Sequence, residues 1–242
     1  MSNLPPTRWP RVLFAVGVFL TMALHSPPSS PHVDPARSEP PSADEVAALV
    51  DLYEWILGGK ADGRFHAFDG APVSAAIENH REGFELFRRY HDGRAQLAVV
   101  EKLRFGRDIA RSARRYGVDP LLVAAVVEAE SGFDSQAISP AGAFGLMQVT
   151  PETAALYGGG DPFDPAVNLE VGSRLLAALL EQFDGDLTLA LAAYNAGPGA
   201  VERFGGLPPY RETRGFVDRV LGLYVEHHRA VWQLSPDRGI LF

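Results

Sequence analysis

The sequence predicts a mainly α-helical protein with little or no β structure, in which a small N-terminal helical region precedes a larger helical domain. From about residue 43 onward, apolar residues recur at three- and four-residue intervals, as the buried face of a helix requires. Glycine and proline separate these segments, and no run alternates apolar and polar residues as a half-buried strand would. The chain of 242 residues contains no cysteine, so apolar packing rather than disulfides must stabilise it.

The N-terminus has the pattern of a targeting segment. Arg8 and Arg11 precede the apolar run VLFAVGVFLTMAL, and a Pro/Ser-rich stretch over 26–42 follows. This order is typical of an export signal, and the apolar run is shorter than the ~20 residues of a comfortable membrane span. A clean cleavage site is missing, so a retained anchor is the alternative. We expect residues 1–25 to be a signal peptide or an N-terminal membrane anchor, followed by a linker. The rest would be exported to the periplasm or cell envelope.

Residues 43–103 are predicted to form a helical accessory region. Ser42 and Glu45 have the spacing of a capping box, and Pro72 opens a second helix. A third helix is predicted from about 95 to 116, with Gly117 as its C-cap. Its arginines could touch an anionic polymer, but such a run is more often a solvated helix face, which is the interpretation favoured for Arg104, Arg107, Arg111, Arg114 and Arg115.

The main domain is expected over residues 104–234, as a series of helices with recognisable starts. Asp119-Pro120 begins a very apolar helix that runs to about Ser131. Asp164-Pro165 and Asp186 begin two more, because Asp is a good N-cap and Pro fits the first helical turn. A last long helix is predicted over 216–232.

Composition excludes several classes of function. A net charge of −8 makes a nucleic-acid-binding protein improbable, because such proteins need a basic surface. The absence of cysteine rules out thiolate metal sites, and the seven histidines show no H-E-x-x-H spacing. His227-His228 is interpreted as a solvated pair on a helix. No metal and no cofactor are expected.

The apolar helix ends in two acidic residues, Glu128 and Glu130. Being two residues apart, they lie on nearly opposite helix faces, so that one can face solvent while the other faces inward. Apolar neighbours and the negative end of the helix dipole should both raise the pKa of Glu130. A carboxyl that stays protonated near neutral pH can act as a general acid. Taken alone, however, two ordinary surface carboxylates are the better interpretation of this helix.

Polar and aromatic residues further along the chain favour a site for an amide-bearing sugar. Gly142 precedes the segment AFGLMQ and Gly145 lies within it, so the backbone there can turn sharply and approach a ligand closely. An AYNAG segment places an aromatic ring and an amide at a helix end, and PPYRET follows. Aromatic faces, amides and backbone groups together suit such a ligand. The candidate binding residues are Ser139, Met147, Gln148, Tyr194, Asn195, Tyr210 and Glu212.

The segment EAESGFDSQAISPAGAFGLMQVTPETA closely resembles the first signature of lytic transglycosylases of the soluble-type (SLT) catalytic domain. The resemblance continues, in the family's order, through DPAVNLEVGSRLLAALLEQF, GDLTLALAAYNAGPGAV and LPPYRETRGFVDRVL. It covers roughly residues 105 to 230. It implies a lysozyme-like fold related to goose-type lysozyme, and peptidoglycan glycan strands as the partner.

Carried over position by position, the family's catalytic glutamate falls on Glu130, which directly precedes serine in the first signature. Ser139 matches a residue used near the N-acetyl group of the substrate, and Met147 and Gln148 match residues that line the cleft. Tyr194, Asn195 and Glu212 match the later motifs.

The resemblance implies that Glu130 alone protonates the glycosidic oxygen between N-acetylmuramic acid and N-acetylglucosamine and then deprotonates the muramyl C6 hydroxyl, which gives a 1,6-anhydro product. The alternatives are a hydrolytic muramidase on the same fold and a non-catalytic scaffold that binds peptidoglycan.

Overall fold

The computed structural model of the chain describes Asp44 and residues 93–234, and this part is built from helices. The predicted signal peptide or anchor, the linker and most of the accessory region lie outside the described residues. Within residues 93–234 there is no strand, and the predicted mainly α class is confirmed. No described helix is long and apolar enough to cross a membrane. In chain order the helices are α1 (Gly93–Val100), α2 (Gly106–Tyr116), α3 (Pro120–Ser131), α4 (Pro151–Tyr157), α5 (Pro165–Gln182), α6 (Leu187–Ala196), α7 (Pro198–Phe204) and α8 (Arg211–Leu234).

Three helix starts follow the sequence prediction. The carboxylates of Asp119, Asp164 and Asp186 each accept a hydrogen bond from a backbone N–H in the first turn of the helix they precede. These bonds satisfy donors that have no partner inside the helix. The last helix begins at Arg211, five residues before the predicted start at 216, because the polar residues of the RETR segment form its first turn.

The predicted continuous helix from 95 to 116 is wrong, because residues 101–105 interrupt it. Phe105 has a left-handed backbone with φ of 58°, and the chain then folds back against the end of α1. A Cβ on Gly106 would overlap the carbonyl oxygen of Val100, so only glycine allows this approach. The predicted C-cap at Gly117 is confirmed, with φ of 68°.

Helix α3 lies at the centre of the core. Seven consecutive residues, Leu121 to Val127, are buried, which requires neighbours on every side of the helix. Helix α8 packs against it with Val217, Val220 and Leu221. Val99 and Val100 of α1 belong to the same core, so the packed unit includes a helix that precedes the expected domain start at residue 104. That boundary stays a prediction.

Both histidines of the pair on α8 are buried, so the expectation of a solvated pair is wrong. His227 is 9% exposed and His228 is 1% exposed. The ring of His228 lies edge-on against Tyr224 at 4.4 Å, and its Nε2 is 3.9 Å from a carboxylate oxygen of Asp119. The physical reason is the packing of α8 against α3, which covers both side chains although polar residues usually face solvent.

The five arginines predicted to form a solvated face are all exposed, as expected. Two of them form ion pairs at the surface: Arg111 with Asp108 at 2.8 Å, and Arg115 with Glu170 at 3.1 Å. Exposed pairs of this kind contribute little to stability. The basic run is therefore solvated in this structure, as the sequence interpretation had it.

Candidate active site

Glu130 lies in the last turn of α3 and is removed from most of the solvent. Burial raises its pKa from 4.5 to about 7, because a charged carboxylate loses its hydration there. The positive charge of Arg219 opposes this rise, and the negative charge of Glu212 adds to it. The rise expected from the sequence is found, and its largest cause is burial.

Glu128, two residues earlier, has a different environment. One of its oxygens lies 3.3 Å from Nε2 of His227, and about a third of the Glu128 side chain is exposed. Burial and then the charge of Glu226 raise the pKa of Glu128, and burial lowers the pKa of His227. The carboxyl with the large shift, to about 7, is Glu130 rather than Glu128.

Ser131 connects the end of α3 to the loop over residues 137–149. Its hydroxyl lies 3.0 Å from the carbonyl oxygen of Val127 and 2.9 Å from that of Leu146. A hydroxyl has one proton, so it donates to one of these oxygens at a time. The contact holds the loop next to the helix turn that carries Glu130.

The buried side chain of Asn168 on α5 holds the loop through hydrogen bonds to its backbone. Its amide nitrogen donates to the carbonyl oxygens of Phe144 (2.7 Å) and Pro162 (2.8 Å), and its oxygen accepts from the backbone N–H of Met147 (2.7 Å). A Cβ on Gly145 would collide with this amide, and Gly145 has φ of 72°. Glycine is therefore required at position 145 for two reasons, the lack of space for a Cβ and the positive φ.

Met147 is fully buried, which corrects the expectation that its side chain lines a binding surface. Its sulfur lies 3.9 Å from the hydroxyl of Ser173, and a Cβ on Gly172 would overlap the Met147 side chain. The side chain turns into the core because α5 offers a glycine-sized gap there. Its backbone carbonyl still faces the site, where it accepts a hydrogen bond from Tyr194 Oη at 2.8 Å.

Ser139 and Gln148 lie at the two ends of the same loop. The hydroxyl oxygen of Ser139 accepts from the backbone N–H of Ala143 at 3.0 Å. The amide nitrogen of Gln148 donates to the carbonyl of Gly145 at 2.8 Å, and Gln148 has a left-handed backbone with φ of 47°. Both side chains are partly exposed, so each supports the loop and also presents polar atoms to its surface.

Tyr194 and Asn195 come from the end of α6. Burial, and then the charge of Glu130, raise the pKa of Tyr194 well above its usual value of 10, so the phenol stays protonated and lies within electrostatic reach of that carboxyl. Its ring stacks on Phe216 of α8 at 6.3 Å between centroids. The oxygen of Asn195 accepts from the hydroxyl of Thr213 at 2.8 Å, which joins α6 to the start of α8.

Tyr210 and Glu212 lie at the start of α8, and both are exposed. The ring of Tyr210 is 40% exposed and meets Phe204 edge-on at 5.5 Å. The negative charge of Glu212 raises the pKa of Glu130, so the two carboxyl groups lie within electrostatic reach of each other. The structure thus brings Glu130, Tyr194 and Glu212 together, whereas Tyr210 belongs to an aromatic pair at the surface.

Sequence reasoning missed Arg219 and Asn168. Arg219 lies seven residues after Glu212 on α8, a spacing that returns to the same helix face, and this spacing could have indicated it. Asn168 gave no such signal, because an isolated asparagine in a helix is usually exposed. Within residues 93–234, and at Asp44, no group of three or more His, Asp or Glu side chains is arranged to hold a metal ion.

A family model described as the transglycosylase SLT domain matches residues 108–214. This segment is therefore similar to SLT domains. It begins in α2 and ends in the first turn of α8, so it contains every candidate site residue named from the sequence. The resemblance found in the sequence motifs is confirmed.

Two curated relatives are similar to part of this chain. A membrane-bound lytic murein transglycosylase F 1 from Alkalilimnicola ehrlichii is 35% identical over 127 residues, which are 50% of this chain and 24% of the relative. A membrane-bound lytic murein transglycosylase C from Haemophilus influenzae is 40% identical over 113 residues, which are 39% of this chain and 32% of the relative. The chain therefore spans 24% and 32% of the lengths of these two relatives.

Among solved structures, the fold is similar to that of the 70-kDa soluble lytic transglycosylase determined in complex with bulgecin A. The TM-score is 0.50 at 23% sequence identity, and the match covers 86% of this chain and 39% of that one. At this identity the likeness concerns the fold alone. It agrees with the α-rich, lysozyme-like fold that the resemblance implied.

Proposed function

We propose that this protein is a peptidoglycan lytic transglycosylase in which Glu130 is the single general acid and base. Two relatives that are similar to part of this chain are named lytic murein transglycosylases. The observation that carries the proposal is the burial of Glu130, which holds its pKa at about 7. At that pKa both protonation states are populated near neutral pH, as a group that first gives and then takes a proton requires.

In the proposed reaction, protonated Glu130 donates to the glycosidic oxygen between N-acetylmuramic acid and N-acetylglucosamine. The bond from the muramyl C1 to that oxygen breaks, and the substrate's own acetamido group stabilises the cationic centre. The Glu130 carboxylate then accepts the proton of the muramyl C6 hydroxyl while the C6 oxygen forms a bond to C1. A 1,6-anhydro ring forms, no water is consumed, and Glu130 is protonated again.

Nearby residues have supporting parts in this proposal. Ser139, Gln148 and Asn195 offer hydroxyl and amide groups for the N-acetyl substituents, and Tyr210 offers an exposed aromatic face. Tyr194 would keep the Met147 carbonyl and the loop in place beside Glu130 through its hydrogen bond. Met147 has no substrate contact through its side chain, because that side chain is buried.

Product analysis tests the proposal. Purified peptidoglycan strands are incubated with the full chain, and the soluble products are examined by mass spectrometry. Anhydromuramyl products are expected, each lighter by one water than the corresponding hydrolysis product. Products carrying the added water would instead indicate a muramidase. Intact strands, together with retained binding to peptidoglycan, would indicate a non-catalytic scaffold.

The proposed substrate also suggests where the protein acts. Peptidoglycan lies outside the cytoplasm, which fits the expectation of export to the periplasm or cell envelope by way of the N-terminal segment. That segment is outside the described residues, and both its cleavage and its use as a membrane anchor stay predictions. Fractionation of cells that produce the full chain, followed by N-terminal sequencing, would distinguish a soluble, cleaved form from an anchored one.

A further inference from the structure

Arg219 is an exposed residue on α8 that contacts the turn carrying Glu130. Its guanidinium Nη1 donates to the carbonyl oxygen of Ala129 at 3.3 Å, across 90 residues of sequence. Ala129 directly precedes Glu130 in the last turn of α3, where the final carbonyl groups of a helix have no partner within the helix. A cation at this position stabilises both the free carbonyls and the negative end of the helix dipole.

Helix α8 presents three side chains to the region of Glu130 at helical spacing. Glu212, Phe216 and Arg219 are separated by four and three residues, so they lie along one face. Phe216 stacks on Tyr194, which fixes that face against α6. The acidic and the basic side chain stand at the two ends of this short row, two helical turns apart.

We propose that Arg219 is a positioning residue for Glu130, holding the last turn of α3 through the Ala129 carbonyl and supplying a permanent positive charge next to the carboxyl. The importance of Arg219 for turnover rests on the proposed function. The effect of Arg219 on the pKa of the Glu130 carboxyl does not depend on that function. Arg219 itself touches no reacting atom in this scheme.

The charged groups around Glu130 determine in which direction its pKa should change when Arg219 is removed. Among the described residues, two charged groups act on the Glu130 carboxyl, and both come from α8: Arg219 lowers its pKa and Glu212 raises it. Tyr194, which faces Glu130 from α6, stays neutral because burial keeps its own pKa well above 10. Removing Arg219 should therefore raise the pKa of Glu130 above about 7.

The first test measures that carboxyl directly. The full chain is labelled with ¹³C at the glutamate side-chain carboxyl, and the Glu130 signal is assigned by its loss in Glu130→Gln. We expect Arg219→Met to raise the midpoint of the Glu130 titration by roughly half a unit, the size typical of one partly exposed charge. Arg203→Met is the control, because Arg203 is an exposed residue of α7 that does not act on Glu130. It removes the same charge and should leave the midpoint unchanged.

Two further variants separate position from charge. Arg219→Lys keeps the charge and should return the midpoint close to that of the wild type. Arg219→Gln keeps a polar side chain with an N–H donor but loses the charge, so the midpoint should rise as in Arg219→Met. An unchanged midpoint in Arg219→Met, with the fold intact by circular dichroism, would overturn the proposal.

Activity profiles then connect the carboxyl to turnover. If Glu130 is the general acid, the alkaline limb of kcat/KM on peptidoglycan should move to higher pH in Arg219→Met by the same amount as the titration midpoint. A shifted midpoint without detectable turnover in any variant, wild type included, would leave the positioning role standing and count against the proposed function. A shifted midpoint with an unmoved alkaline limb would overturn the role of Arg219 in catalysis.

Discussion

Helix α3 has an acidic side chain at each end, and the two carboxyl groups have different surroundings. Asp119, before the first turn, accepts hydrogen bonds from the backbone N–H of Leu121 (2.8 Å) and from Tyr224 Oη (2.6 Å). Glu130, in the last turn, is removed from most of the solvent, and this burial raises its pKa to about 7. Helix α8 packs against both ends of α3. The two carboxyl groups therefore differ in the partners that α8 supplies to them, and not in burial alone.

The comparison shows how one helix can be stable and reactive at once. At the N-terminal end, donors compensate the carboxylate for its lost water, and the group contributes to folding. At the C-terminal end burial disfavours the carboxylate, and the group keeps a proton instead. The carboxyl that we propose as catalytic thus lies at a position that would be unfavourable for a structural carboxylate.

The largest expected effect is on activity at the C-terminal end. Glu130→Gln should lower turnover on peptidoglycan by at least about a thousandfold, because the amide can neither give nor take the proton. A zymogram and an assay of released muropeptides measure this. Glu128→Gln is the matched control, since its carboxyl contacts His227 instead, and it should stay within a few fold of the wild type. Equal losses in both variants would contradict the distinction between the two glutamates.

The same Glu130→Gln variant should be more stable than the wild type at alkaline pH. Between pH 4.5 and 7 the folded state holds a proton that the unfolded state has lost, so the unfolding free energy of the wild type falls as pH rises. A shift from 4.5 to about 7 corresponds to roughly 3 kcal/mol at pH 8, as an upper value. Urea unfolding at pH 8 and pH 4 measures it. The difference should disappear at pH 4, and a wild type that is the more stable protein at pH 8 would refute the idea.

At the N-terminal end of α3, replacing the carboxylate should lower the unfolding free energy instead of raising it. Asp119→Ala should destabilise the protein by about 2–3 kcal/mol, because it removes a helix cap and leaves Tyr224 Oη without that acceptor. Urea unfolding near neutral pH measures the loss. Asp119→Asn keeps an acceptor oxygen and should lose less. The alkaline limb of the activity profile should not move in either variant, and a shift there would mean that the two ends are coupled.

The smallest effects concern one tyrosine at each end. Tyr224→Phe and Tyr194→Phe each remove one hydrogen bond, to Asp119 and to the Met147 carbonyl, and each should cost about 1 kcal/mol of stability. Only Tyr194→Phe should also reduce turnover, because its bond holds the loop beside Glu130. Thermal unfolding and steady-state kinetics compare the two. Equal turnover in both variants would show that the loop needs no such support.

The sequence predicted the elements whose signals are local. The caps at Asp119, Asp164 and Asp186 and the apolar run of α3 depend on neighbouring residues, and those helix starts were confirmed. Glu130 was predicted as the catalytic residue because its helix and the downstream motifs stand in a fixed order in the sequence, and this role stays a prediction. The break at residues 101–105 was missed, since it arises where Gly106 packs against the end of α1, a contact that helical periodicity cannot indicate.

What the sequence could not provide were contacts between distant segments. The burial of His227 and His228 depends on the packing of α8 against α3, and the burial of Met147 depends on the gap at Gly172 of α5. Arg219 reaches α3 from 90 residues away. Each of these outcomes follows from tertiary packing, which overrides the usual preference of a residue type for surface or interior.

Asn168 has a consequence for recognition. Because this one side chain makes three hydrogen bonds to the backbone around residues 144, 147 and 162, the loop next to Glu130 acquires its shape when the chain folds. A ligand arriving there would meet a rigid template, and little of its binding energy would be spent on arranging the wall that receives it. Selectivity at this wall would then depend on which ligands fit the preformed contour, rather than on which ones can induce it.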